Sequence, residues 1–236
     1  LKCFFCVSGW FSKLIKSNTD WYFLIIFISK SDFQNPSTSV PYIIVDTCSK
    51  LGLFVSLRFL EWAAENPQGV IILPTGKTPE YFIKWTQHLL ANWDKPAMEV
   101  LRKENGLQID KKPELGQLRF VQIDEFYPIS PEQQNSFYNY VQNFYIQGFG
   151  LNANRGLFIN CDTMPRSSDK ELKDIFPNRL IDLSLRNRNP QNSLEEIQQE
   201  TILLVDQWCT DYEARIRQLG GIGFFLGGIG PDGHIA

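Results

Sequence analysis

Histidine, methionine and surplus positive charge are all scarce in this chain. Lys and Arg number 23 against 26 Asp and Glu, a formal net charge of -3. Binding to a phosphate backbone normally needs a basic face, so this balance argues against a nucleic-acid partner. A long apolar run is missing too. The uninterrupted stretch from Trp21 to Ile28 would extend only about 12 Å as a helix, far short of a bilayer core, and no membrane partner is expected. Asp20, directly before that run, also weakens a signal-peptide reading. The five cysteines, Cys3, Cys6, Cys48, Cys161 and Cys209, are odd in number and scattered. That does not suggest a disulfide-stapled secreted domain, and a reducing, cytoplasmic compartment fits better. Cys3 and Cys6 make a C-x-x-C pair, but no second cysteine or histidine pair stands near it to complete a metal site. No methionine begins the chain, and the only two are Met98 and Met164, so it reads as a fragment.

What is present is enough for a core. At 236 residues with 43% hydrophobic content, the chain is expected to form one large globular domain. Residues 1 to 40 read as an extension of unassigned role. From residue 41 onward, short β-rich runs alternate with segments of helical period, which is the pattern of an α/β sheet with crossover helices. The spacing predicts strands at "YIIV" (42–45), "VIIL" (70–73), "LRFVQI" (118–123), "LFI" (157–159) and "IGFFL" (222–226). Helices are expected from a Ser49 cap to about Asn66, from a Thr78 cap with Pro79 at the first helical position to about Trp93, and from a Ser130/Gln133 capping box through "NSFYNYVQNFYIQ" to about Gly148. A second capping box, Ser193 and Glu196, predicts a long helix to about Leu219 that stops at Gly220 and Gly221. Residues 161 to 192 show no clear period and read as an excursion from the sheet.

Three of the strand exits are polar. In an open parallel sheet, ligands bind outside the carboxyl ends of the strands, so the exits after Leu73, Ile123 and Leu226 form a candidate composite site. The first, "PTGKTP", offers backbone N–H groups and the hydroxyls of Thr75 and Thr78 at a helix N-terminus, with Gly76 and Lys77 between them. Such an end favours an anion such as phosphate, although an ordinary strand-turn-helix junction has the same appearance. The second, "QIDEF", sets Asp124 beside Glu125. Adjacent residues on an extended backbone point to opposite faces, so at most one of these acids easily enters a cleft. The third, "GGIGPDGHIA", has Gly227, Gly228, Gly230 and Gly233 for close backbone approach. Asp232 and His234 add an acid and a base suited to proton transfer at a sugar hydroxyl or ring oxygen. His88 reads as a structural or exposed helix residue.

In order, "LPTGKTP", "QIDEF", "NSFYNYV" and "LGGIGPDGHIA" resemble the glucosamine-6-phosphate deaminase family, within the wider group that includes the 6-phosphogluconolactonases. The resemblance covers roughly residues 41 to 236. It implies a Rossmann-like α/β fold with a mostly parallel sheet and helices on both faces, here truncated at its C-terminus. It also implies conversion of glucosamine 6-phosphate and water to fructose 6-phosphate and ammonia. Asp124 would correspond to the base that moves a proton between C2 and C1. His234, assisted by Asp232, would open the pyranose ring, and Thr75, Gly76, Lys77, Thr78, Gly228 and Gly230 would line the site of the phosphorylated sugar. Neither a metal nor an organic cofactor is implied, and a homo-oligomer is left open. Ile235 leans towards the deaminases, whereas Lys77 stands where they commonly have a small residue. The stretches 102–116 and 161–192 look longer than a compact member needs. A lactonase and a non-catalytic phosphosugar-sensing domain are the competing readings. The family's continuation beyond residue 236 is expected to hold a glutamate and basic residues, so the 236-residue chain is expected to be inactive or severely impaired as it stands.

Overall fold

The computed structural model describes residues 4–8, 23–27, 42–107 and 109–229. Seven strands form one sheet: β1 (Phe4–Ser8), β2 (Phe23–Phe27), β3 (Tyr42–Val45), β4 (Val70–Ile72), β5 (Arg119–Val121), β6 (Gly156–Leu157) and β7 (Phe224–Ile229), in the order β3-β2-β1-β7-β4-β5-β6. Antiparallel pairing is confined to the two sides of β1, against β2 and β7, and the other four pairs are parallel. The α/β class with a mostly parallel sheet is therefore as expected. The strand at "YIIV" has the expected bounds, while those at 70, 118 and 157 are shorter and the last strand is displaced towards the chain end.

The helices are α1 (Cys48–Glu65), α2 (Glu80–Ala91), α3 (Pro96–Glu104), α4 (Phe137–Val141), α5 (Leu172–Ile175) and α6 (Ser193–Gln218). Their caps differ from the sequence-based expectation in an instructive way. Thr47, not Ser49, caps α1 by accepting from the Lys50 amide at 3.1 Å. Asn192, not Ser193, caps α6 by accepting from the amides of Leu194 and Glu195, both at 3.0 Å. In each case two residues able to cap lie within one turn, and the upstream one takes the role. Thr78 makes no cap hydrogen bond, and α2 begins after Pro79. The expected end of α6 is present: the Gly221 amide reaches the Ile216 carbonyl and the Gly220 amide that of Arg217, with both glycines at positive φ, which is a Schellman closure.

The chain divides into two compact units, the first made of residues 1–123, 140–157 and 222–236, the second of 124–139 and 158–221. In the first, Phe59 of α1 is fully buried, with ring centroids 5.6 Å from Phe82, 6.0 Å from Phe149 and 5.3 Å from Phe224. Helix α1 carries buried residues on several sides, including Leu51, Val55, Leu57 and Leu60. It meets α2 at close range. The Ser56 hydroxyl donates to the Phe82 carbonyl at 2.9 Å and receives the Thr86 hydroxyl at 3.0 Å, so the buried polar groups at this crossing satisfy one another. The second unit has its own apolar cluster, which includes Ile129, Met164, Ile175, Phe176, Leu185 and Ile202. The aperiodic stretch 161–192 contributes four of these six, folding as short turns around α5.

The α1–α2 crossing tests packing against helix propensity. A Cβ on Gly52 would lie 2.5 Å from the Tyr81 carbonyl carbon. Alanine favours an isolated helix by about 1 kcal/mol over glycine, whereas overpacking costs about 1–3 kcal/mol. Gly52→Ala is expected to lower the urea midpoint, and an increase would contradict this packing.

Candidate functional site

The sheet registers build the site's frame. Ile71 of β4 pairs with Phe120 of β5 on one side and Phe224 of β7 on the other, and Ile72 pairs likewise with Val121 and Phe225. All three strands run the same way, so their carboxyl ends leave one edge of the sheet side by side. β4 is buried throughout, as expected of a parallel strand covered on both faces. Its apolar continuity stops at Leu73 and Pro74, and the polar loop follows.

Within that loop, Thr75 and Thr78 are half-buried while Gly76 and Lys77 are exposed. Gly76 turns the chain at φ 82, a conformation open to glycine at little cost. Two tyrosines from the aromatic segment hold the loop. The Tyr145 hydroxyl, on a fully buried ring, donates to the Pro74 carbonyl, and the Tyr140 hydroxyl donates to the Gly76 carbonyl at 2.8 Å. Burial raises the pKa of both phenols, and the Glu80 charge adds to the effect at Tyr140. Both therefore remain protonated donors across ordinary pH. Fixing these two carbonyls leaves the loop's orientation set by the protein rather than by solvent. On the other side, a Cβ on Gly228 of β7 would come within 3.1 Å of the Thr78 methyl, so the loop after β4 lies close against β7.

The acid pair resolves into two different environments. Glu125 is a cap acting at long range. Its carboxylate accepts from the amides of Phe137 at 3.0 Å and Tyr138 at 2.7 Å, from its neighbour Phe126 at 2.9 Å, and from the Ser136 hydroxyl at 2.8 Å. The expected Ser130 capping box instead forms a turn, in which the Gln133 amide reaches the Ser130 carbonyl, and the helix starts at Phe137. Asp124 is half-buried. Burial first, and the adjacent Glu125 charge second, raise its pKa above the ordinary aspartate value. That is the perturbation a carboxylate needs to act as a base nearer neutrality.

Thr75, Gly76, Lys77, Thr78 and Gly228 thus gather where β4 and β7 leave the sheet. Asp124 follows the exit of β5 in the chain. Gly230, Asp232 and His234 lie outside the described residues. Tyr140 and Tyr145 were not foreseen, although "NSFYNYVQNFYIQ" stands out by its aromatic density. His88 is exposed on α2, with its ring edge-on to Trp85. Among the described residues no cluster of three or more His, Cys, Asp or Glu is arranged to hold a metal, and no helix is long and apolar enough to cross a membrane.

Removing the Tyr140 hydroxyl leaves the Gly76 carbonyl without that donor, a loss of about 1 kcal/mol. Tyr140→Phe is expected to accelerate amide hydrogen exchange at Gly76, Lys77 and Thr78 while leaving α1 unchanged. Unaltered exchange in the loop would show that the tyrosine does not hold it.

No family profile matches the chain. Local similarity to individual proteins does exist. A glucosamine-6-phosphate deaminase of Parabacteroides distasonis is 46% identical over 57 residues, 24% of this chain and 18% of that protein. Proteins of the same name from Borrelia hermsii and Caenorhabditis elegans are 68% and 64% identical over 28 residues, 12% of this chain and 10% of each relative. The matched segments therefore span less than a fifth of these relatives' own length. A solved monomeric glucosamine-6-phosphate deaminase aligns with 75% of this chain and 50% of its own at a TM-score of 0.43 and 17% identity. In these short segments the chain is similar in sequence to proteins named glucosamine-6-phosphate deaminase.

Proposed function

We propose that the protein carrying this chain is an amino-sugar phosphate deaminase, converting glucosamine 6-phosphate and water to fructose 6-phosphate and ammonia. The observation that carries this reading is the local identity to proteins of that name, up to 68%. The polar exits of the parallel strands support it.

In this reading the loop 75–78 receives the phosphosugar through its amides and the hydroxyls of Thr75 and Thr78, with Lys77 adding positive charge. His234, with Asp232 beside it in sequence, assists opening of the pyranose ring by moving a proton at the ring oxygen. Asp124, as carboxylate, takes the proton from C2 of the open-chain aldehyde. The electron pair moves into the C1–C2 bond to give an enolamine, and return of the proton to C1 leaves an imine at C2. Water adds to that imine and ammonia departs. The raised pKa of Asp124 suits a base that must be protonated and deprotonated in turn.

Asp124→Asn is expected to lower ammonia release from glucosamine 6-phosphate by about 10²–10⁴-fold, the usual contribution of a positioned base. Because the pKa of Asp124 is raised, its base form is lost at a higher pH than for an ordinary aspartate. The acid limb of kcat/KM should then lie above pH ~4 and be absent from any residual activity of Asp124→Asn. If the sugar binds with no ammonia formed by the full-length wild-type protein, the deaminase reading fails in favour of a sensor. Hydrolysis of 6-phosphogluconolactone instead would identify a lactonase.

A further inference from the structure

The stretch 161–192 has no part in the site just described, yet it builds a cavity of its own. The space measures about 440 Å³, within the range typical of small-molecule sites. It is formed wholly inside the second unit, between residues 128–130 and the turns around α5. Ile129 and Leu172, both buried members of the unit's apolar cluster, give it an apolar wall, and Ser130 adds a hydroxyl.

Its charges are unusual for the unit. Arg166, Lys173 and Arg179 line it against the carboxylates of Asp162 and Glu171. Elsewhere in the unit, Arg186 is paired with Asp206, and Arg188 with Asp182 and Glu195. Arg166 and Arg179 make their hydrogen bonds to neutral groups among the described residues, while the Arg166 charge also acts on Glu171. The Arg166 guanidinium donates to the carbonyls of Asp162 at 3.1 Å and Lys170 at 3.5 Å, and that of Arg179 to the Gln133 side-chain oxygen at 2.9 Å. Both guanidinium groups retain further N–H donors. Glu171 is already engaged by Lys173 at 2.6 Å, but the two side chains are 68% and 71% exposed, so the pair is weak and readily exchanged. Asp162 is exposed as well and its charge is screened by solvent. Guanidinium forks whose hydrogen bonds go only to neutral groups, beside an apolar wall, suit an oxyanion carried on a small organic body.

We propose that this cavity binds a small phosphate monoester through Arg166, Arg179 and Lys173. The proposal does not depend on the deaminase reading, since none of these residues belongs to the strand-exit loop.

Calorimetric titration of the protein with inorganic phosphate at fixed ionic strength tests it, using the Thr75→Val, Thr78→Val background to remove the loop hydroxyls. One phosphate should still bind in that background. Adding Arg166→Gln with Arg179→Gln should weaken it by about tenfold or more. Lys173→Gln alone should weaken it by about threefold, and it decides the matter if the double arginine variant does not fold. Absence of phosphate binding in the threonine background, or affinity unchanged by the cavity substitutions, would overturn the proposal.

Discussion

The parallel register of β4 between β5 and β7 is the constraint on which the rest depends. Because Ile71 and Ile72 pair with both neighbours in the same direction, the three strands must release their chains at one edge. A parallel strand buried on both faces has to be apolar along its length, and polar residues are admitted only where it ends. The concentration of threonine, lysine, aspartate and glycine just past these strands follows from that geometry. So does the need to restrain them, since a loop at a sheet edge has carbonyls that water would otherwise compete for.

Restraint comes from the aromatic segment that begins with α4. Tyr140 and Tyr145 are five residues apart, and the stretch Gln142–Gln147 is a π-helix, whose i to i+5 hydrogen bonds bring such residues towards a common side. Both hydroxyls reach carbonyls of one loop. Burial keeps both phenols protonated, so the brace does not weaken with pH in the neutral range. The start of α4 is fixed by Glu125, and the acid next to it is left half-buried with a raised pKa. In this way one dipeptide, Asp124-Glu125, serves both the scaffold and the proposed chemistry.

Much of the sheet was legible from the sequence because short apolar runs bounded by glycine, proline and polar residues have few other uses. The strand at 42–45 and the glycine stop of α6 were read correctly for that reason. Caps were read less well. Thr47 stands near Ser49, and Asn192 beside Ser193, and local pattern alone does not choose between them. The Ser130 box failed for a different reason: the helix start is set by a carboxylate at position 125, a contact that no local window contains. The tyrosine brace was invisible for a similar reason, since a search for a 3.6-residue period does not register a π-helical turn. Within the excursion 161–192 no period was found because it folds as short turns packed around α5, and its core is assembled from scattered positions such as Met164, Ile175 and Leu185. Of the proposed site residues, the loop lies near Gly228 of β7 and Asp124 follows β5 in the chain, while Gly230, Asp232 and His234 lie outside the described residues.

The central claim is that the loop after β4 receives a phosphorylated amino sugar. The most direct measurement is the backbone amide shift of Gly76, Lys77 and Thr78 during titration with glucosamine 6-phosphate, compared with glucosamine. The account predicts saturable shifts at all three amides with the phosphorylated sugar and none with the unphosphorylated one. Unmoved loop amides, under conditions where the sugar phosphate binds elsewhere or not at all, would contradict it.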